Sequence, residues 1–170
     1  MQKISRIGRL GFLILIFLFQ LSLQAQNKKY FVISGQIVPE EKGTSSGVIE
    51  ITKNAKETST VEIPKNGRFR LELEFFNEYY LNFKYPGHFS KIIVVNTDIQ
   101  QEVWARDNDF PPFPMVVQLL KEFEGVDKSF TLKPTGRIFY GKDIDNFQKE
   151  GYIADIQFVE QIETAKTKAT

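Results

Sequence analysis

"NGRFRLELEF" (residues 66–75) turns and then alternates: Phe69, Leu71, Leu73 and Phe75 fall on one side, Arg68, Arg70, Glu72 and Glu74 on the other. A period of two with one apolar face is the pattern of a half-buried antiparallel strand, whose side chains point in turn to core and water. The Arg and Glu face reads as the wet side, where opposite charges along and across strands help modestly. The competing reading, an Arg-x-Arg phosphate site, has no support nearby. Upstream, "ETSTVEIP" (residues 57–64) places Ser59, Val61 and Ile63 together. An Asn-Gly pair between two such runs signals a hairpin, because both residues accept positive φ and match the strand twist.

The same rhythm extends in both directions. "YFVISGQIV" (30–38) sets Phe31, Ile33 and Ile37 against Val32, Ser34 and Gln36, and "GVIEITK" (47–53) puts Ile49 and Ile51 on one face. Downstream, "YYLNFKYPG" (79–87) aligns Tyr79, Leu81, Phe83 and Tyr85, and "KIIVVNT" (91–97) is apolar enough on both faces to be buried on both. A longer irregular segment, "DIQQEVWARDNDFPPFP" (98–114), precedes the last run, "MVVQLLKEF" (115–123). About seven strands separated by turn chemistry predict an all-β antiparallel sandwich, and no helical pattern intervenes to suggest parallel βαβ units.

The two ends read differently from this middle. Lys3, Arg6 and Arg9 precede an apolar run from Leu10 to Leu23, which suits the h-region of a secretory signal peptide and is short for a membrane span. Cleavage is expected after Ala25, while Leu23, where a small residue is preferred, leaves an uncleaved anchor as the alternative. Removing residues 1–25 takes away three cations and no anion, so a formal charge of +1 becomes −2. Such a balance, with interspersed charges, gives no basic stripe for nucleic acid. Without cysteine there is neither a disulfide nor a lipid-bearing N-terminal cysteine. Stability must come from a hydrophobic core, for which sixteen Phe, six Tyr and one Trp supply ample material. Residues 26–123 are expected to form the sandwich and residues 124–170 an irregular extension, in which only "RIFY" (137–140) resembles a strand. The helix-like spacing of Ile153, Ile156, Val159 and either Ile162 or Glu163 predicts a helix near 152–166.

The order of elements, with "ISGQIV", "VEIPKNGRFRLEL", "LNFKYPGHFSKIIVV" and "VVQLLKE" in sequence, resembles the carboxypeptidase regulatory-like domain, a transthyretin-like β-sandwich common in exported bacterial proteins. The resemblance covers roughly residues 31–123. It departs from many members in the first loop, "EEKGTSSGVIEI", which lacks a Pro-Leu-x-Gly-Ala-type sequence. What it implies is an accessory module without an active site of its own.

The residues tested for chemistry point the same way. A zinc peptidase site usually needs two His and a Glu, whereas His88, in the "PGHF" turn, is the single histidine. It is expected to be an exposed turn residue. A triad through His88 and Ser90 lacks a Gly-x-Ser-x-Gly elbow. Asp143, Asp145 and Asn146 do not make a calcium loop, because the ligand, glycine and Glu positions hold Phe147, Gln148 and Ala154. Asp107, Asn108 and Asp109 are read likewise as solvated turn residues. Paired carboxylates for glycoside hydrolysis need only converge in space, so spacing alone does not remove them.

The segment Val103–Pro114 is the candidate for binding: it holds Trp104, Phe110 and Phe113 among prolines and charges, on the kind of loop that carries recognition. The bland alternative is that "PPFP" crosses between the sheets while the aromatics plug the core. The expected function is therefore an exported, non-catalytic module, with no cofactor or metal, that binds another envelope protein in the periplasm, at the outer membrane or outside the cell. A carbohydrate-binding module is the alternative, with Tyr79, Tyr80, Tyr85 and Trp104 as stacking faces.

Overall fold

Alternating strands must bury one face, and here they do so in two facing sheets. The structure is a computed structural model that describes residues 29–41, 45–106, 109–151 and 156–169. The leader expected over residues 1–25 lies outside the described residues. The strands are β1 (Tyr30–Pro39), β2 (Gly47–Lys53), β3 (Glu57–Ile63), β4 (Arg68–Glu74), β5 (Glu78–Lys84), β6 (Lys91–Asn96), β7 (Phe113–Leu119), β8 (Pro134–Gly141) and β9 (Asn146–Gly151). The helices are α1 (Gln101–Arg106) and α2 (Ile156–Ala169), with a 3-10 turn at Lys128–Leu132. The smaller sheet runs β4-β1-β7 and the larger β3-β2-β5-β6-β8-β9.

The all-β sandwich and the C-terminal helix agree with the sequence reading. The helix is described from Ile156, residues 152–155 of its expected range lying outside the description. Two features differ. The stretch beyond residue 123 is not irregular: β8 and β9 extend the larger sheet by a hairpin. Nor is every pair antiparallel, since β1 pairs with β7 and β6 with β8 in parallel. The reason is the crossovers. A strand arriving from the opposite sheet at one end must run away from that end, as the strand already there does. β7 enters where β1 begins, Phe113 packing on Phe31.

The opening stretch is a strand with the expected faces: Phe69, Leu71 and Leu73 are buried, Arg68, Arg70 and Glu72 exposed. The turn before it, however, is not a hairpin, because β3 and β4 lie in different sheets. Only Gly67 takes positive φ (75°), and the turn closes by Gly67 N–H donating to Pro64 O at 2.8 Å. A Cβ on Gly67 would stand 2.5 Å from Ile37 O, so both backbone angle and close approach demand glycine. A genuine hairpin joins β2 to β3 through the three residues 54–56, where Asn54 and Ala55 both have positive φ (51° and 54°) and Lys56 N–H donates to Lys53 O at 3.0 Å.

Inward residues of both sheets make one core. Phe31, Ile33 and Leu71 meet Ile49, Leu81, Phe83, Val95 and Ile138, each nearly or wholly removed from water. Burial of such side chains contributes about 1.5–3 kcal/mol each. A second, small cluster of Phe89, Val126 and Ile162 docks α2 at the other end of the sandwich. There the Phe158 ring meets Phe89 edge-on at 5.4 Å, Gln161 accepts from Asp127 N–H at 2.9 Å, and Lys166 pairs with Glu40 at 3.0 Å.

Candidate functional site

The segment marked in the sequence does cross between the sheets, from β6 to β7. Part of it is a short helix, α1, with Val103 buried beneath it. Trp104, half-buried, lies 5.0 Å from the Phe75 ring and 5.3 Å from Phe76. Phe110 packs on Phe75, Tyr140 and Phe147, and Phe113 on Phe31. The three marked residues thus belong to one aromatic cluster that closes this end of the core. Their rings are supported from both sheets, since Phe31 comes from the smaller, Phe75 directly follows its strand β4, and Tyr140 and Phe147 come from the larger.

One residue of that end, not singled out by the sequence, faces water. Phe76 is 45% exposed and has φ of 63°, a conformation in which a bulky side chain crowds its own backbone. Such strain persists only where surroundings over-determine it. Here they do. Thr97, fully buried, accepts from Phe76 N–H through its carbonyl at 3.1 Å, and its own N–H donates to Asn77 O at 2.9 Å. The Thr97 hydroxyl lies 2.8 Å from Glu74 O and accepts from Asn77 N–H at 3.1 Å. The Asn77 side chain donates to Phe75 O and accepts from Asn54, whose Oδ1 in turn accepts from Glu78 N–H at 2.9 Å. The crossover β4–β5 is therefore pinned on both sides of Phe76, which is held against the edge of Trp104. No hydrophobic period announces this residue. The Phe75-Phe76 pair at the close of an alternating strand is the one signal in the sequence, since alternation sends only one of two neighbours inward.

Beside the aromatic cluster, Asp145 in the β8–β9 turn is bridged to α1. Arg106 donates to both its oxygens at 2.6 and 2.7 Å, and the Tyr140 hydroxyl donates to it as well. The hydrogen bonds from Tyr140 and then from Arg106 hold the Asp145 carboxyl below the usual range. Both oxygens are engaged by donors, so Asp145 acts as a brace. Among the described residues no three His, Asp or Glu side chains converge as a metal site.

His88 is a correction: it is buried, with 8% exposure, rather than an exposed turn residue. The Pro86-Gly87 turn folds it inward, its backbone N–H donating to Tyr85 O. Its Nδ1 lies 2.9 Å from Pro86 O and its Nε2 accepts from Glu41 N–H at 3.4 Å, a set that places the ring proton on Nδ1. With both nitrogens engaged, His88 joins loops and offers no base to Ser90. The proposed sugar-stacking tyrosines are also dispersed. Tyr79 is in the core, Tyr85 packs on His88, and Tyr80 lies on the outer face of the larger sheet. There it lines a hollow of about 470 Å³ with Phe139, Arg137 and Asp98, the Arg137 guanidinium sitting 4.6 Å from the Phe139 ring.

No family model matches the chain, and no curated protein matches it. Among the solved structures that share a weak likeness are the following two. One is a crystal structure of S.CueP, at 12% identity and a TM-score of 0.36, over 55% of this chain and 64% of that one. The other is 3-chlorocatechol 1,2-dioxygenase from Rhodococcus opacus 1CP, at 12% identity and a TM-score of 0.37, over 58% of this chain and 62% of that one. The chain therefore spans less than two thirds of either.

Proposed function

We propose that this chain is an exported, non-catalytic β-sandwich module of the carboxypeptidase regulatory-like type that binds another envelope protein through the Phe76–Trp104 end. The observation that carries the reading is Phe76: an exposed aromatic in a strained backbone conformation, fixed by a hydrogen-bond network anchored on the fully buried Thr97. A solvent-facing phenyl ring gains little for the fold there, and partner binding is what repays its strain. Beside it, the buried Phe75 packs on Trp104 and on Phe110, so a partner would meet a preorganised surface and lose little entropy ordering it.

The test is Phe76→Asn. Asparagine tolerates left-handed φ, so the variant should fold at least as stably as the parent while losing the envelope protein that cross-linking and pull-down recover with the parent chain. Undiminished capture by the folded variant would defeat the assignment. A second reading, carbohydrate binding, draws on the Tyr80–Phe139 hollow, where aromatic faces stand beside Arg137 and Asp98. It predicts retardation on polysaccharide-containing native gels that Tyr80→Ala abolishes, and uniform migration across a broad panel removes it.

A further inference from the structure

At the other end of the sandwich a lysine sits where the strand pattern calls for an apolar residue. Lys91 opens β6 in register with Ile93 and Val95, which face the core, and its cross-strand partner is the fully buried Phe83. It lines a cavity of about 540 Å³ between α2 and the sandwich, whose apolar wall includes Phe89, Leu120, Phe130, Phe158 and Ile162. A volume of this size is typical of small-molecule sites, which commonly combine apolar walls with a few polar groups. Among the described residues no carboxylate pairs with Lys91, and burial pushes its ammonium below the usual range.

The other charges on the wall reinforce the same sign. Lys133, from the segment before β8, lies 5.8 Å from the Phe130 ring. From α2 come Lys166, paired with Glu40 at 3.0 Å, and Glu163, 3.8 Å from Lys166 and 68% exposed. Lys166 is thus met by two carboxylates, Glu40 and Glu163, which leaves Lys91 and Lys133 as the ammonium groups of the wall with no carboxylate within ion-pair distance among the described residues. A desolvated ammonium without a counter-ion is costly. The remedy this geometry admits is an anion brought in from outside, and the walls require that it carry an apolar body. Leu120 and Val159, both partly open to solvent, line the entrance side.

We propose that this cavity binds a small free carboxylic acid with an aliphatic chain, its carboxylate on Lys91 and its chain along the Phe89–Phe158 wall. The site lies at the opposite end from Phe76 and does not depend on the proposed partner surface.

Isothermal titration of the purified protein with octanoate, octan-1-ol and octylamine tests the proposal. Octanoate should bind, octan-1-ol more weakly, and octylamine weakest. Lys91→Met should weaken octanoate by about 10- to 100-fold, the range expected for one charged hydrogen bond, and leave octan-1-ol unchanged. Lys91→Gln, closer in polarity, guards against a folding effect and should give the same loss. Methionine removes a desolvated charge, so Lys91→Met should melt no lower than the parent. No octanoate binding, equal binding of octanoate and octan-1-ol, or undiminished octanoate binding by the folded variants would each overturn the assignment.

Discussion

The two ends of this sandwich solve the same problem in opposite ways. Both must close a core that the two sheets leave open. At the Phe76 end the closure is a block of rings, with Phe31 stacked on Phe147 at 3.9 Å and Phe75 touching Trp104, Phe110 and Phe147. At the α2 end it is a helix laid across a gap, its contacts including a small apolar cluster, the Lys166–Glu40 ion pair and the Gln161–Asp127 hydrogen bond, with a cavity beneath. The first arrangement gives rigidity, and it can hold a strained residue in place. The second leaves internal volume beneath the helix. The proposed partner surface thus sits on the filled closure and the proposed ligand recess in the hollow one.

Truncation of one ring at each end breaks or upholds this contrast most directly. Phe75→Ala removes a buried ring that touches both sheets and should lower stability by about 3–5 kcal/mol. Phe158→Ala, on the half-open helix cluster, should cost well under half of that, because the cavity beside it already exists. Urea unfolding of both variants measures the difference. Equal losses would mean that α2 is as much a part of the core as the aromatic block.

Much of this was legible in the sequence, for a stated physical reason. Most of strands β1 to β7 bury one face, so a period of two reports them, and the edge strand β3, exposed over most of its length, still shows it at Val61 and Ile63. β9 escaped because it is an edge strand with one buried residue, Phe147, and its remaining positions carry Gln148, Lys149 and Glu150, which read as loop chemistry. The Asn66-Gly67 pair misled because a tight turn can change sheets as well as reverse a strand, and sequence does not say which sheet the next strand joins. Trp104, Phe110 and Phe113 were found as a group by their interruption of the strand rhythm, but the ring that they leave exposed, Phe76, lies elsewhere in the chain. Lys91 was readable in principle: counting back by two from Val95 and Ile93 puts a charge on the inward face.

Acid should separate the ends more gently. Glu40, which fastens α2 through Lys166, accepts from Lys121 N–H and from Lys166, and these bonds hold its carboxyl below the ordinary value of 4.5. Asp145, which fastens the β8–β9 turn to α1, is held below its ordinary 3.8 by Tyr140 and then Arg106. A carboxyl whose pKa is depressed on folding contributes fully above its unfolded value, and that contribution is lost as pH falls through the folded one. Both braces should therefore be intact at neutral pH and fail below about pH 4. The consequence differs by end: amide exchange should accelerate in α2, which has little else to hold it, while β8 and β9 stay protected by the ring block and the sheet. Equal acceleration in both would remove the distinction between a latched helix and a packed one.

The smallest expected effect concerns the turns at the two ends. At the α2 end the turn places Gly67 where only glycine fits. At the Phe76 end the β2–β3 turn places Ala55 at φ of 54°, where glycine would relax the backbone. A left-handed non-glycine residue costs about 1–2 kcal/mol, against a glycine entropy cost of about 0.5–1 kcal/mol. Ala55→Gly should therefore stabilise the chain by roughly 0.5 kcal/mol, the difference between those terms, read as a shift in urea midpoint at unchanged slope. Asn54 should feel it too, because its side chain is one of the links that pin Phe76 through Asn77. If the network relies on its own hydrogen bonds, the gain appears in stability and Phe76 stays where it is. If instead the alanine keeps the turn stiff, Ala55→Gly would loosen the crossover, and proton exchange at Phe76 and Asn77 would rise even as the midpoint moved up. That outcome would show that rigidity at the filled end is drawn from the turn as well as from the rings.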